Sequence, residues 1–280
     1  MPTIREAPVV RTGTRGKVVA NVILGVGGLV WVLPVLFALI GSMKTKQEYS
    51  LTAFWDLPGQ INWLTNFVFI QEHSNILQSM ANSLMYALFG TIGAMLFAAI
   101  SAFGVTTLRI KHPMLWFMII YSGTIFPFQV YLIPVLSAYQ HVGLYDTKLG
   151  LILFYMAICT PFAMFVMRNF FQGISRELVE AARMDGASDF RILLRIFIPM
   201  SMAPLSVVFM TQFAWCYNEL MFGITFIKSN DVKPVMATLS TFTGNTPAML
   251  VACGIVSVPT ILIYALLNRN FNTGMAYHAK

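Results

Sequence analysis

Long apolar runs without a charged residue alternate with short polar segments along this chain. Six such runs occupy residues 18–43, 74–108, 113–140, 149–167, 196–218 and 234–268, and each has at least nineteen residues. Because about twenty helical residues cross the hydrocarbon core of a bilayer, the pattern predicts six transmembrane helices. Two runs have 35 residues, which is more than that core requires, so part of each is expected to lie outside it.

Composition supports a membrane protein and excludes a soluble globule. Hydrophobic residues make up 57% of the 280 positions and charged residues 10%, so too little polar surface exists to cover a water-soluble fold. The first run follows four basic residues, but its 26 residues exceed the apolar core of a signal peptide. It is therefore expected to remain as a membrane anchor.

The placement of lysine and arginine predicts that both termini lie in the cytoplasm. With six alternating helices and the N-terminus inside, the outer segments carry only Lys44, Lys46, Lys148, Lys228 and Lys233. The other thirteen basic residues then fall on the cytoplasmic side. The predicted organisation is a cytoplasmic segment at residues 1–17 followed by a membrane domain at residues 18–280. Since the basic charge follows topology, nucleic-acid binding is not expected.

Sequence motifs for catalysis, nucleotide binding and metal binding are absent. The chain has no G-x-x-x-x-G-K-[ST] loop, no G-x-S-x-G elbow and no histidine pair at metal-ligand spacing. Its three cysteines fall alone in three different apolar runs, where packing is the expected role. We expect a chain that is not an enzyme and that binds no metal.

The apolar runs contain no ionisable residue of the kind that ion-coupled carriers place at membrane depth. Any active transport is therefore expected to draw its energy from outside the membrane helices. A passive channel stays open as an alternative, although no selectivity-filter repeat is visible.

Eight charged residues gather between the fourth and fifth runs, within residues 176–195. Ser175 and Ser188 are suited to cap two short helices, and Gly186 suits a left-handed turn between them. The second helix is expected to continue into the fifth span, where Pro199 bends it. From the residues alone, two interpretations stay open: a solvated loop that fixes topology, and a docking surface for a cytoplasmic partner.

The spacing of residues within this stretch resembles a known family pattern. Glu180-Ala181-Ala182, Gly186 and the segment Ile196-x-Ile198-Pro199 match E-A-A-x3-G-x9-I-x-L-P, with Ile198 as the one departure. The pattern is that of the EAA loop of ATP-binding-cassette importer permeases. The resemblance implies that residues 169–195 form a coupling loop seated in a cleft of an ATPase subunit. It assigns ATPase coupling to Glu180, Ala181, Ala182, Asp185, Gly186 and Pro199.

Other segments resemble the carbohydrate-type permeases of that family, and most closely the smaller permease of maltose-type importers. They are residues 81–90, 126–153, 215–223 and 268–280, with Tyr217 in place of a tryptophan and an altered C-terminal tail. The resemblance implies an all-α membrane fold with six transmembrane helices, the type I importer permease fold. It also implies residence in a prokaryotic inner membrane.

The resemblance implies that the chain is one subunit of a larger transport complex. A second permease forms a heterodimer with it, two ATPase subunits bind ATP and Mg²⁺, and an extracytoplasmic binding protein delivers the solute. The chain itself would hold no cofactor. The expected solute is a sugar, an oligosaccharide or a sugar-like compound such as a glycerol phosphate. Alternatives are an importer for a polyamine, phosphate or amino acid, and a self-contained carrier or channel.

Two further groups of residues are candidates for contact with the solute or its binding protein. Polar side chains within the spans are candidates for the translocation path or for helix–helix hydrogen bonds: Asn82, Gln129, Tyr131 and Asn218. The loop at residues 227–246 is either a plain connector or a contact for the binding protein. Its candidate residues are Ser240, Thr241, Phe242, Thr243, Gly244 and Asn245. Shortening residues 240–246 is expected to abolish transport without affecting membrane insertion.

Overall fold

The computed structural model describes residues 14–277, with side chains described for residues 16–267. The predicted cytoplasmic segment at residues 1–17 therefore lies almost wholly outside the described residues, as do the side chains of the tail at 268–280. Within the described chain the secondary structure is helical, without strands. The all-α prediction is confirmed for these residues.

The helices follow one another with short connections. The first seven are α1 (Thr14–Met43), α2 (Lys46–Leu51), α3 (Trp63–His73), α4 (Ile76–Thr107), α5 (Pro113–Tyr121), α6 (Leu132–Val142) and α7 (Lys148–Phe171). They are followed by α8 (Arg176–Met184), α9 (Asp189–Ile192), α10 (Ile198–Met200), α11 (Met202–Asn218), α12 (Met221–Phe226), α13 (Val235–Leu239) and α14 (Thr246–Tyr277). Two 3-10 turns, Ser122–Thr124 and Phe128–Tyr131, lie between α5 and α6, and a π-helical turn, Leu193–Phe197, lies between α9 and α10.

Within residues 14–277, four helices are long and apolar enough to cross a membrane, and the number of candidate spans is six when each of two bent pairs is counted as one span. The predicted third span is broken between Thr124 and Phe128, where the two halves meet at 89°. The predicted fifth span is broken at Ser201 with a bend of 78°, two residues after Pro199. Proline cannot continue the helical hydrogen-bond ladder, so breaks beside Pro127 and Pro199 have a direct cause.

The two 35-residue apolar runs are accommodated differently. The first forms one continuous helix, α4, whose 32 residues extend for about 48 Å and so exceed the hydrocarbon core of about 30 Å. The last run is divided, because α13 forms a separate short helix before α14 begins. The expectation that part of each run lies outside the core agrees with both arrangements.

The described chain forms two compact units. The first comprises residues 14–69 with 244–251, and the second comprises residues 70–243 with 252–277. In the first unit, α2 is tied to the end of α1 by the fully buried Lys44. Its ammonium group donates hydrogen bonds to Thr52 Oγ1 at 2.9 Å and to the Ala53 carbonyl at 2.7 Å. Asn66 donates to the carbonyls of Ser42 and Lys44, both at 3.0 Å.

In the second unit, α4 packs along α7 and α11, and small residues line the contact. Ala94, Ala98 and Ala102 of α4 are fully buried, as is Ala163 of α7. Small side chains allow two helix backbones to approach closely, which is the usual way in which membrane helices associate. The same seam excludes a side chain at Gly90, where an added Cβ would lie 2.7 Å from the Cβ of Tyr155.

The close approach at Gly90 leads to a stability prediction. Gly90→Leu is expected to force α4 and α7 apart and to lower the free energy of unfolding by about 1–3 kcal/mol. The matched control is Gly104→Leu on the same helix, because a Cβ there meets nothing within 4 Å. Thermal unfolding in detergent measures both variants. Equal melting temperatures for the two variants would contradict the packing described here.

Candidate functional site

The charged stretch after α7 forms the predicted helix–turn–helix. Ser175 Oγ accepts a hydrogen bond from the backbone N–H of Leu178 at 3.3 Å, and Ser188 Oγ accepts one from that of Arg191 at 3.4 Å. Between the two helices Gly186 has a φ of +77°, in the left-handed region that favours glycine. The two predicted caps and the predicted turn are therefore confirmed.

Helix α8 presents one narrow buried side and a broad exposed side. Val179 is buried in a core cluster with Ile192 and Phe197, and Ala182 packs against the same cluster. The candidate coupling residues Glu180, Ala181, Asp185 and Gly186 are exposed. The helix is thus anchored through Val179 and Ala182 and leaves Glu180 and Ala181 open to solvent.

Apolar side chains are also exposed around the turn. Met184 is 89% exposed, Phe190 66% and Leu178 41%, although this segment is among the most charged in the chain. Large apolar groups gathered on the surface of a protein commonly mark an interaction site. A loop that served only to fix topology would not require them.

An ion pair joins the two helices of the loop across the turn. The Arg183 guanidinium donates to Asp189 Oδ1 from Nε at 3.1 Å and from Nη2 at 2.8 Å. Both side chains are at least one-third exposed, so solvent screens the pair and its stabilising contribution is at most about 1 kcal/mol. Its geometric effect is to restrict the angle between α8 and α9.

The loop connects to the fifth span through buried aromatic contacts. Phe197, which is 1% exposed, lies edge-on against Phe103 of α4 with ring centres 4.9 Å apart. It contacts Phe171 of α7 in the same manner at 4.8 Å. Phe197 therefore places the end of the loop in direct contact with α4 and α7. The predicted coupling residue Pro199 lies exposed beside that bend.

A cavity of about 340 Å³ lies where the third span is broken, and it is lined by residues from three helical segments. These residues are Gly123, Thr124, Phe126, Phe128, Ile158, Cys159, Phe162, Thr211, Gln212 and Trp215. In membrane proteins, irregular backbone at membrane depth occurs where it lines a cavity or is buried in protein. The break in the third span is therefore irregular backbone that lines a cavity.

Two cysteines that the sequence places in separate runs lie in contact beside this cavity. The Sγ atoms of Cys159 on α7 and Cys216 on α11 are 3.5 Å apart, and both side chains are buried without forming a disulfide. Each is the one cysteine of its own span, and the burial of both side chains agrees with the predicted packing role. Helix packing, which sequence spacing does not reveal, brings the two thiols together.

The four polar residues proposed for the path have different surroundings, and none of them lines the cavity. Asn82 is 2% exposed, and its Nδ2 donates to the carbonyls of Asp231 at 2.8 Å and Lys233 at 3.2 Å. Tyr131 donates to the carbonyl of Gly123 at 3.3 Å. Gln129 and Asn218 are exposed, and Asn218 donates to its own helix at the Ala214 carbonyl. Their role in the path stays a prediction.

Sequence reasoning missed Thr124, Thr211 and Gln212, the polar residues that do line the cavity. Gln212 is an amide within an uncharged apolar run, which is the same signal that singled out Asn218 six residues later. Threonine gives no such signal, because its hydroxyl commonly bonds to its own helix. Thr211 does so at 2.9 Å from the Val207 carbonyl.

The first half of the loop at residues 227–246 is folded against α4. The backbone N–H of Val235 donates to Ser83 Oγ at 2.8 Å, and Tyr86 donates its hydroxyl proton to the Val232 carbonyl at 2.5 Å. Ser79 and Thr238 share a hydrogen bond of 2.7 Å. Together with the two bonds from Asn82, these contacts make this half an ordered element that is packed on α4.

The second half of the loop is more accessible. Ser240, Thr241, Thr243 and Gly244 are exposed, while Phe242 and Asn245 are half-buried. Asn245 Oδ1 accepts a hydrogen bond from the N–H of Ala248 at 3.2 Å, so this residue also helps to begin α14.

Asp146, in the connection between α6 and α7, fastens the start of the same loop. Its Oδ1 accepts from the backbone N–H groups of Lys228 at 2.8 Å and Ser229 at 2.9 Å, and its Oδ2 accepts from the Ser229 hydroxyl at 2.5 Å. Partial burial alone would raise the pKa of Asp146. The hydrogen bonds from Ser229 and Lys228 outweigh burial and hold that pKa below its ordinary value of 3.8.

This arrangement predicts a pH-dependent contribution of Asp146 to stability. Asp146→Asn is expected to lower the free energy of unfolding by about 1 kcal/mol at neutral pH, because the charge-assisted hydrogen bonds weaken. When folding lowers the pKa of a carboxyl group, that group stabilises the folded protein at pH values above its pKa in the unfolded chain. This stabilisation disappears as the pH falls through the pKa of the group in the folded protein. The difference from the wild type should therefore shrink below pH 3.8 in thermal unfolding experiments. A difference that does not change with pH would contradict an ionic role.

Comparison with known proteins identifies similar chains. Residues 112–277 match the family described as binding-protein-dependent transport system inner membrane component. The osmoprotective compounds uptake permease protein GgtD of Synechocystis is 28% identical over 256 residues, which cover 88% of this chain and 86% of that protein. The alpha-glucoside transport system permease protein AglG of Rhizobium meliloti is 29% identical over 222 residues, which cover 76% of this chain and 58% of that protein.

A solved structure shares the fold. It is the crystal structure of a bacterial ABC transporter involved in the import of the acidic polysaccharide alginate, and one of its chains superposes with a TM-score of 0.79. The match covers 95% of this chain and 100% of that chain, at 22% sequence identity.

Proposed function

The chain belongs to the family of binding-protein-dependent transport system inner membrane components, and we propose that it forms the solute path of an ATP-driven carbohydrate importer together with a second permease. Family membership places the chain in the inner membrane as a transporter subunit without a catalytic role of its own. Similarity to an alpha-glucoside permease supports a carbohydrate as the solute. The other partners in this proposal are two ATPase subunits, which bind ATP and Mg²⁺, and an extracytoplasmic binding protein.

The observation that carries the coupling part of the proposal is the exposed side of α8. Glu180, Ala181 and Gly186 lie on the open side of a helix whose opposite side is anchored by Val179. We propose that this side faces the cytoplasm and seats in an ATPase subunit. A nucleotide shifts a transporter between two states only by binding one of them more tightly. The docked loop is joined to the fifth span through Phe197. It would thereby link the nucleotide-dependent state of the ATPase subunit to the arrangement of the membrane helices.

Variants of α8 and its turn test the coupling. Glu180→Lys reverses a charge on the docking side, and Gly186→Val strains the turn at a φ of +77°. Each is expected to lower ATP-driven uptake by roughly 5- to 150-fold, the range of typical coupling energies, while membrane insertion stays normal. Uptake and ATP hydrolysis are measured in proteoliposomes that hold the complete importer.

The control for the charge change is Glu72→Lys, at an exposed carboxylate of α3. This variant is expected to take up solute as the wild type does. Normal uptake by both loop variants would show that α8 is not the coupling element. Solute flux through this chain alone, without ATPase subunits, would instead support a self-contained carrier or channel.

The second half of the loop at 227–246 is proposed to contact the binding protein. Replacing the exposed Thr241 and Thr243 together with arginine is expected to abolish the stimulation of ATP hydrolysis by the binding protein, because two bulky charges would occupy the contact surface. Basal hydrolysis should be retained. Ser50→Arg, at an exposed position of α2, is the control. Full stimulation of the double variant would exclude this contact.

A further inference from the structure

The cavity at the broken third span has a polar corner formed by Gln212. This side chain is only 9% exposed, and its Nε2 donates one hydrogen bond to the Cys159 carbonyl at 3.3 Å. An amide group has two N–H donors and an oxygen with two lone pairs, so this single bond leaves the oxygen and one N–H for another group. Gln212 lines the cavity, and a polar group in a membrane interior requires such a partner.

Two threonine hydroxyls extend the polar corner. Thr124 donates to the Tyr121 carbonyl at 2.8 Å and Thr211 to the Val207 carbonyl at 2.9 Å. Each hydroxyl oxygen therefore keeps lone pairs that accept a hydrogen bond from a ligand. The cavity thus combines an amide, which both donates and accepts, with two hydroxyl acceptors. Hydroxyl groups on a sugar ring are complementary to this combination.

Aromatic rings form the remaining wall and are held in place by packing. Phe128 meets Trp215 edge-on, with ring centres 6.0 Å apart, and lies 5.6 Å from the ring of the fully buried Phe222. A sugar presents an apolar C–H face and polar edges. A cavity with aromatic rings on one side and hydrogen-bonding groups on the other matches both.

Among the residues whose side chains the structure describes, no charged one lines this cavity. Glu219, a buried carboxylate at the end of α11, already has hydrogen-bond partners within the protein. Its oxygens accept from the N–H groups of Phe222 and Gly223 and from the Tyr155 hydroxyl, at 2.9–3.2 Å. A charged solute would find no counter-charge among the lining residues, and an ion that loses its hydration without a partner is costly.

We infer that this subunit itself contains a subsite for an uncharged sugar ring, with Gln212 and the two threonines binding its hydroxyls and Trp215 and Phe128 packing on its face. The inference rests on the proposed importer function and goes beyond it, since it assigns solute contact to this chain and excludes acidic sugars. A cavity of about 340 Å³ lies near the lower end of the range for small-ligand pockets, in keeping with one or two rings.

Two pairs of variants test the subsite in the complete importer, with its binding protein, in proteoliposomes. Gln212→Leu removes the amide, and Gln140→Leu makes the same change at an exposed position of α6 outside the cavity. Trp215→Leu removes the aromatic wall, and Trp215→Phe retains it. The probes are radiolabelled glucose, xylose, maltose and trehalose, with glucuronate as the acidic sugar.

For the neutral sugar that the wild type takes up best, we expect Gln212→Leu to lower uptake about tenfold, consistent with the loss of one to two hydrogen bonds. Trp215→Leu is expected to lower uptake to a similar extent, whereas Trp215→Phe and Gln140→Leu transport normally. ATP hydrolysis stimulated by the binding protein should stay at the wild-type level in all variants. This last result separates loss of solute contact from general disruption of the fold.

Three outcomes would overturn the inference. They are normal uptake by Gln212→Leu and Trp215→Leu, an equal loss of uptake and stimulated hydrolysis, and a wild-type preference for glucuronate. If the wild-type importer takes up none of these sugars although its binding protein stimulates hydrolysis, the proposed carbohydrate function fails as well. The two failures are therefore distinguishable.

Discussion

The absence of water in the bilayer interior is the constraint on which this structure depends. Every buried polar group must find its partner within the protein, since the hydrocarbon offers none. Asn82 illustrates how the constraint acts, because its amide satisfies two loop carbonyls that would otherwise be unpaired. The constraint converts a connecting segment into an ordered part of the fold.

The same constraint explains which features the sequence predicts well. A long uncharged run is stable in a bilayer as a membrane-spanning helix, so the positions of the spans follow from where these runs lie in the sequence. The caps at Ser175 and Ser188 and the turn at Gly186 are also local, because each depends on a few neighbouring residues. Local chemistry of this kind accounts for the whole predicted helix–turn–helix.

The features that the sequence does not reveal depend on contacts between distant segments. Pro127 allows the run at 113–140 to break, but its presence does not predict that the two halves meet at 89°, since proline also occurs in spans that stay continuous, such as α7 with Pro161. The fold of the loop at 227–246 requires the polar side chains of α4 to lie opposite it. Gln212 lines the cavity and donates a hydrogen bond to the carbonyl of Cys159, which is 53 positions away in the chain. Sequence spacing gives no sign of this contact.

The exposed apolar residues around the turn at Gly186 have a consequence for the life of the protein in the cell. In the proposed importer the ATPase subunit would cover Met184 and Phe190, and without that cover their apolar surface in water promotes aggregation. Chaperones and proteases continuously remove chains that display such surface. A copy made in excess of its ATPase subunits would therefore be degraded. In the proposed importer, the face that receives the ATPase subunit would thereby also regulate how many complete transporters accumulate.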